Sequence, residues 1–167
     1  MKLSIIAAMD KKRGIGKNNK IPWHLKDDLI RLKILTKDHV VILGRKTYDS
    51  MVWYYDRSGR LMPGKLYLVL TRDTSYKPTR ENAKAVCSLE EALSSAKDEE
   101  EVYINGGKHV FAEALKKDLV DKLYLTIVEG DFDADTFFPD YSQFKHKLSE
   151  QKGVSEGLAY TFLELTK

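Results

Sequence analysis

The sequence predicts an α/β fold in one domain spanning residues 1–167, built on a mixed, mostly parallel sheet that ends in an antiparallel hairpin. Three observations carry this reading. Short apolar runs rich in β-branched or aromatic residues recur with helical patterns between them, the rhythm of parallel strands joined by crossover helices. That alternation stops after Val128, and the remaining chain reads as two strands and a turn. A chain of 167 residues is long enough for a real core and too short for two full domains.

Taken in order, the first strand is expected at residues 3–9, an apolar run too short to cross a membrane and followed by charge, hence a strand and not a signal peptide. A helix follows at 25–36, where Leu25, Leu29, Leu32 and Thr36 recur at helical spacing. Strand 39–43 leads into a short helix at 46–51, and strands 66–71 and 85–87 come next. Ser88 and Glu91 have the spacing of a capping box, which starts the helix at 89–96. Strand 102–105, helix 110–115 and strand 123–128 complete the alternation. The hairpin is expected from strands 145–150 and 158–165, joined by a turn at 153–157 and added to one edge of the sheet. No internal repeat or linker interrupts the chain.

Composition narrows the function classes. A net charge of +3, with acids and bases interspersed, gives no argument for a nucleic-acid or membrane partner. The single cysteine, Cys87, excludes an intramolecular disulfide and a multi-cysteine zinc site, and its expected role is packing. A soluble cytoplasmic protein is expected.

The stretch from Ile15 to Leu32 holds an anomaly. Asp28 falls inside the apolar stripe of the 25–36 helix, behind a Gly- and Asn-rich loop, whereas Lys26 and Lys33 point elsewhere. A carboxylate turned inward needs partners or a task. Asp27, roughly opposite the stripe, reads as an ordinary first-turn acid favoured by the helix dipole.

Three turns look like backbone-built anion sites, because each follows a strand and leaves amides free. Gly44, Arg45, Lys46 and Thr47 combine a glycine that allows close approach with two cations and a hydroxyl. The pair Gly106 and Gly107 precedes the helix at Val110, and Thr71 and Arg72 end a strand. Together they suggest a nucleotide with several phosphates; a solvated basic turn is the plainer alternative for the first. Other signals fail. Gly14 and Gly16 begin like a dinucleotide fingerprint, but Asn19 stands where the third glycine belongs. Asp131, Asp133 and Asp135 open like a calcium loop, yet Thr136 and Ser142 replace the needed Gly and Glu, so a solvated acidic loop is expected. The histidines share no metal-ligand spacing, and no metal is expected.

With these pieces in order, the chain resembles the dihydrofolate reductase family along almost its whole length. The matching segments are SIIAAM, GIGKNNKIPWHLKDDL, VVILGRKTYDS, PGKLYLVLTR, INGGKHVF, LYLT and DADTFFPDY, in the family's order and near its spacings. The resemblance implies an eight-stranded sheet with helices on both faces and NADPH in an extended cleft. It also implies reduction of 7,8-dihydrofolate to 5,6,7,8-tetrahydrofolate by hydride transfer, supplying one-carbon metabolism. Asp28 would be the ionisable group at the pterin, braced by Thr126, with its pKa raised by burial. A hydride adds more easily to an imine carbon once the imine nitrogen carries a proton, so the site must polarise or protonate the ring while keeping bulk water out.

By the same resemblance, Ile21 and Trp23 would cover the nicotinamide from a loop that opens and closes. Ala8, Ile15 and Gly16 would border that ring. Gly106, Gly107, Lys108 and His109 would hold the diphosphate, Arg45, Lys46, Thr47, Thr71 and Arg72 the adenosine end with its 2′-phosphate, and Gly44 and Val110 would also line the cofactor site. Ile6, Leu29, Leu32 and Met51 would line the pterin and benzoyl cleft. Thr136 would lie in a loop packed against the mobile one, and a monomer is the default for this fold.

The chain also departs from the family. Lys65 stands where an arginine usually grips the glutamate tail, keeping the charge without the planar fork. Asn105 replaces an aliphatic residue beside the pterin, and Lys108 a small one after the paired glycines. Residues 51–60, MVWYYDRSGR, are longer and more aromatic than the usual connection and are expected to form a surface loop packed on itself, with a substrate or subunit contact as the alternative. Two rivals remain: an NADPH-dependent reductase of a pyrimidine ribityl-phosphate in flavin biosynthesis, and a non-catalytic nucleotide-binding protein of the same fold. Neither is expected to carry an acid inside IPWHLKDDL together with Thr126 and both cofactor turns.

Overall fold

The computed structural model describes residues 1–167. The strands are β1 (Lys2–Asp10), β2 (Gly14–Gly16), β3 (Val40–Gly44), β4 (Leu66–Leu70), β5 (Ala83–Val86), β6 (Glu101–Ile104), β7 (Lys122–Val128), β8 (Thr136–Phe137), β9 (His146–Ser155) and β10 (Leu158–Thr166). The helices are α1 (Lys26–Thr36), α2 (Arg45–Ser58), α3 (Leu89–Ser95) and α4 (Lys108–Lys116). Eight strands form one sheet in the order β5-β4-β3-β6-β1-β7-β10-β9, parallel as far as β7, with β10 and β9 antiparallel at one edge. All eight strands expected from the sequence are in it.

The central strands are buried on both faces, which is why they read as continuous apolar runs. Leu3, Ile5, Val40, Ile42, Leu68, Leu123 and Leu125 meet Leu89 and Ala92 of α3 and Val110, Phe111 and Ala114 of α4 on one face. On the other, Val41, Leu43, Tyr67 and Val69 meet Tyr48 and Tyr55 of α2, while Ile6 and Tyr124 meet Leu32 and Leu35 of α1. The cleft-forming helices α1 and α2 therefore share one side of the sheet.

Several expectations need correction. Helix α2 does not end near Met51; it runs to Ser58 and stops at Gly59, whose left-handed conformation (φ 68°) caps it through a bond to the Tyr55 carbonyl. Tyr48, Met51, Val52 and Tyr55 recur at helical spacing against the core, so most of MVWYYDRSGR is an amphipathic helix and not a surface loop. The hairpin turn is tighter than expected. Glu156 (φ 52°) and Gly157 (φ 81°) form a two-residue connection with both residues left-handed, the arrangement that matches strand twist, and β9 continues through Gly153. A side chain at Gly153 would run into the Tyr160 ring lying across from it. The small antiparallel pair β2 and β8 was not foreseen, because three-residue strands carry too little pattern to read. Cys87 is exposed rather than packed: its backbone N–H and thiol both donate to Glu91, while the Glu91 N–H donates to Ser88 Oγ at 3.0 Å, half of the expected capping box.

Candidate active site

Asp28 occupies the first turn of α1, where a bare backbone start at Leu25 lets the acid lie near unsatisfied amides. Thr126 comes from β7, in register with Ala8 of β1 and Phe162 of β10. Its hydroxyl donates to Asp28 Oδ1 at 2.6 Å, joining residues 98 positions apart. Burial pushes the Asp28 carboxyl above its ordinary range, opposed by the Thr126 hydrogen bond and, more weakly, by the charge of Arg31. The carboxylate thus faces competing demands, a poise typical of groups that exchange protons.

The apolar wall is assembled as expected in part. Ile6 and Leu32 pack in one cluster, Leu32 one helical turn beyond Asp28, and Leu29 is half-buried on the same helix. Across the cleft, the Asn105 side-chain amide donates to Met51 Sδ at 3.3 Å, so the polar replacement is held against α2.

Two residues of α1 have roles that helical spacing alone did not assign. Asp27 is not a solvated first-turn acid: Tyr160 Oη donates to it at 2.6 Å, and its own N–H donates to Ser155 Oγ at 3.3 Å. Arg31, which the stripe reading passed over, donates from Nη1 to the Leu125 carbonyl at 3.0 Å and stacks on Phe162. An arginine among apolar residues three positions after Asp28 was the available signal.

The turns at Gly44 and Gly106 come together. The Gly44 N–H donates to the Gly106 carbonyl at 2.8 Å, and the peptide between Gly106 and Gly107 is cis. A Cβ at Gly107 would crowd Thr47 Oγ1 to 3.2 Å, and one at Gly44 would touch Val110 at 3.6 Å. Helices α2 and α4 start at these glycines with no side-chain cap, leaving backbone donors of both first turns in one place. This fits a diphosphate, with Thr47 offering a hydroxyl.

Around it, Lys46, Arg72, Lys108 and His109 are exposed, and Thr71, directly after β4, accepts from the Asp73 N–H through its hydroxyl. Arg45 is less free than the sequence suggested. Asp73 takes its guanidinium at 3.2 Å, Asp49 lies at 3.7 Å, and Tyr76 stacks 4.2 Å below it.

The loop ahead of α1 is clamped at its base and open at its tip. Asp10, buried at the end of β1, accepts from the backbone N–H of Lys12 and Gly14. Gly16 pairs with Thr136, and Ile15 packs on the core. The acidic loop is engaged rather than merely solvated: Asp131 binds Lys12 at 2.8 Å, Asp133 binds Lys17 at 2.6 Å, and Asp135 accepts from the Asn18 N–H. Trp23 lies edge-on to Phe132 of that loop at 5.1 Å, whereas Ile21 is 66% exposed. Lys65 ends in an ion pair with Glu99 at 2.6 Å, a partner the sequence did not reveal.

Comparison with known proteins identifies the family. The family model described as "Dihydrofolate reductase" matches residues 2–167. A dihydrofolate reductase of Staphylococcus haemolyticus is 37% identical over 158 residues, covering 93% of this chain and 88% of that protein. One from Staphylococcus aureus is 36% identical over 175 residues, covering 100% and 99%. A solved structure of dihydrofolate reductase from Enterococcus faecalis, complexed with NADP(H) and RAB-propyl, superposes with a TM-score of 0.82 at 32% identity, covering 99% of this chain and 95% of that one.

Proposed function

The chain belongs to the dihydrofolate reductase family, and we propose how its residues carry out that family's reaction, the NADPH-dependent reduction of 7,8-dihydrofolate to 5,6,7,8-tetrahydrofolate. The protein is an NADPH-dependent oxidoreductase with a small-molecule substrate. The observation that carries the residue assignment is the 2.6 Å bond from Thr126 to Asp28 Oδ1, which fixes the carboxylate from the facing strand.

In this reading Asp28 accepts hydrogen bonds from the amino group and ring nitrogen of the pterin and fixes the ring in one orientation. Its negative charge favours protonation of the imine nitrogen, which makes the adjacent carbon a better hydride acceptor. Thr126 keeps the carboxylate from rotating, so the ring is held at the face where the reaction takes place. Ile6, Leu29, Leu32 and Met51 exclude water around the ring, and Asn105 adds a polar edge beside Met51. NADPH, when bound, supplies the hydride. Gly44, Thr47, Gly106, Gly107, Lys108, His109 and Val110 would hold its diphosphate, with Lys46, Thr71, Arg72 and Arg45 at the adenosine end. Ala8, Ile15 and Gly16 border the nicotinamide place, and Ile21 and Trp23 cover it from the loop clamped by Asp10 and Thr136. Lys65 takes the glutamate tail in competition with Glu99.

A spectrophotometric assay of NADPH loss with and without dihydrofolate tests the reaction, and Asp28→Asn tests the assignment. Dihydrofolate-dependent loss in the wild type that survives intact in the variant would leave the reaction standing and remove Asp28 from it. Membership of the family, with Asp28 and Thr126 in contact, argues against a reductase of a pyrimidine ribityl-phosphate and against a non-catalytic relative; turnover of the two substrates separates the first. We take the enzyme to be a single-domain cytoplasmic monomer, which sedimentation at micromolar concentration and cell fractionation would check. No helix is long and apolar enough to cross a membrane.

A further inference from the structure

We propose that Arg31 is a positioning residue for the site, planting a fixed positive charge one helical turn beyond Asp28 that biases the carboxylate towards its ionised form. The proposal rests on the reading of Asp28 as the acid at the pterin. Positions 28 and 31 are three apart on α1 and therefore neighbours on one face. The guanidinium is fixed from two sides: Nη1 donates to the Leu125 carbonyl at 3.0 Å, and the planar group lies 4.4 Å from the centroid of Phe162. Both supports belong to the strip of sheet that holds Asp28. Leu125 precedes Thr126, the hydrogen-bond donor to Asp28, and Phe162 faces Thr126 directly in the register of β7 and β10. The Arg31 charge cannot swing away without giving up these contacts, and it is held near the carboxylate without neutralising it in a direct ion pair.

The other charged groups around this strip are already committed. Asp27 accepts from Tyr160, and that bond pushes the phenol up to about 12, so Tyr160 stays neutral through the working pH range. Glu164, which bears on Arg31 from β10, is bound by Lys122 at 2.8 Å, and Lys122 also lies 4.3 Å from the Tyr124 centroid. Arg31 is the cation whose field reaches Asp28, and in a partly desolvated site that field is weakly screened. It keeps Asp28 ionised to lower pH and disfavours a second positive charge on the neighbouring imine nitrogen. Removing it raises both affinities for a proton in the same direction.

The test follows single-turnover hydride transfer across pH, together with the ¹³C titration of the Asp28 carboxyl, in wild type, Arg31→Gln, Arg31→Lys and Asp28→Asn. In Arg31→Gln, both the carboxyl midpoint and the alkaline limb of hydride transfer should move to higher pH than in wild type, with NADPH binding unchanged. Arg31→Lys should stay close to wild type, because the charge is retained. Should Arg31→Gln fail to fold, Arg31→Met fills the same space without charge and is read the same way. An unmoved profile in the neutral variants, or an equal shift in Arg31→Lys, overturns the proposal. Asp28→Asn separates this from failure of the underlying reading: a profile unmoved at Arg31 while Asp28→Asn is crippled removes only Arg31, whereas normal turnover in Asp28→Asn removes Asp28 itself.

Discussion

Tyr160 closes on Asp27 through a 2.6 Å hydrogen bond that spans 133 residues of sequence and ties the C-terminal hairpin to the first turn of α1. The Tyr160 ring packs with Leu25 and Val128, and Gly153 opposite leaves room for it. Of two successive acids, Asp27 therefore anchors the helix and Asp28 faces the chemistry. The helix carrying the reactive carboxylate is fixed at its start by the strand pair farthest from it in sequence.

Tyr160→Phe is accordingly expected to lower stability by about 1–3 kcal/mol, the cost of leaving a half-buried carboxylate without its donor. Asp27→Asn should cost less, since its amide oxygen can still accept. Denaturant unfolding measures both, and single-turnover hydride transfer at neutral pH should change little in either. A large loss of rate with unchanged stability in Tyr160→Phe would show that the pair acts on the reaction directly.

Asp28→Asn is expected to slow hydride transfer at neutral pH by at least ~100-fold, the scale of a lost acid-base contribution, while NADPH still binds. The same substitution has an opposite effect on stability. Because the folded protein holds the Asp28 proton more tightly than the unfolded chain does, the wild type loses stability as pH rises from the ordinary carboxylate range through the raised folded value. The variant lacks that loss. Its midpoint of thermal unfolding should exceed that of wild type at pH 7, and the difference should vanish in acid below the ordinary carboxylate range.

NADPH should be preferred over NADH by roughly tenfold or more, since a charge-assisted contact to the 2′-phosphate contributes ~1.5–3 kcal/mol. The contacts of Arg45 rank the cations. Arg45 must release Asp73 and Asp49, whereas Lys46 and Arg72 form no ion pair, so Lys46→Ala or Arg72→Ala should reduce the preference more than Arg45→Ala. Asp73→Asn should increase it. Ratios of kcat/KM for the two cofactors decide, and a preference untouched by all three cation variants would move the phosphate elsewhere.

Glu99→Gln should lower KM for dihydrofolate by a few-fold, corresponding to about 1 kcal/mol or less for an exposed ion pair, because the Lys65 ammonium is then free for the glutamate tail. Lys65→Arg should act in the same direction, with little change in kcat, through its bidentate fork. A pterin lacking the tail is the control and should not distinguish these variants from wild type. Equal gains with that substrate would place the tail at another cation.

The alternation of apolar runs determined the sheet and its strand identities, because strands buried on both faces must be apolar throughout and leave an unbroken signal. The turn glycines and the cations around them were likewise legible, since close backbone approach demands glycine locally. Asp28 stood out by breaking the periodicity of α1, a property of the sequence alone. Its partner could not be derived from spacing: Thr126 lies 98 positions away and meets Asp28 because β7 packs beneath α1. Only the tertiary structure decided that Asp27 belongs to Tyr160, that Arg45 is held by Asp73 and Lys65 by Glu99, and that Arg31 rests on the strip supporting Thr126. Charged side chains choose partners among all groups that the fold brings near. That choice depends on distances between elements, for which neither helical nor strand periodicity carries information.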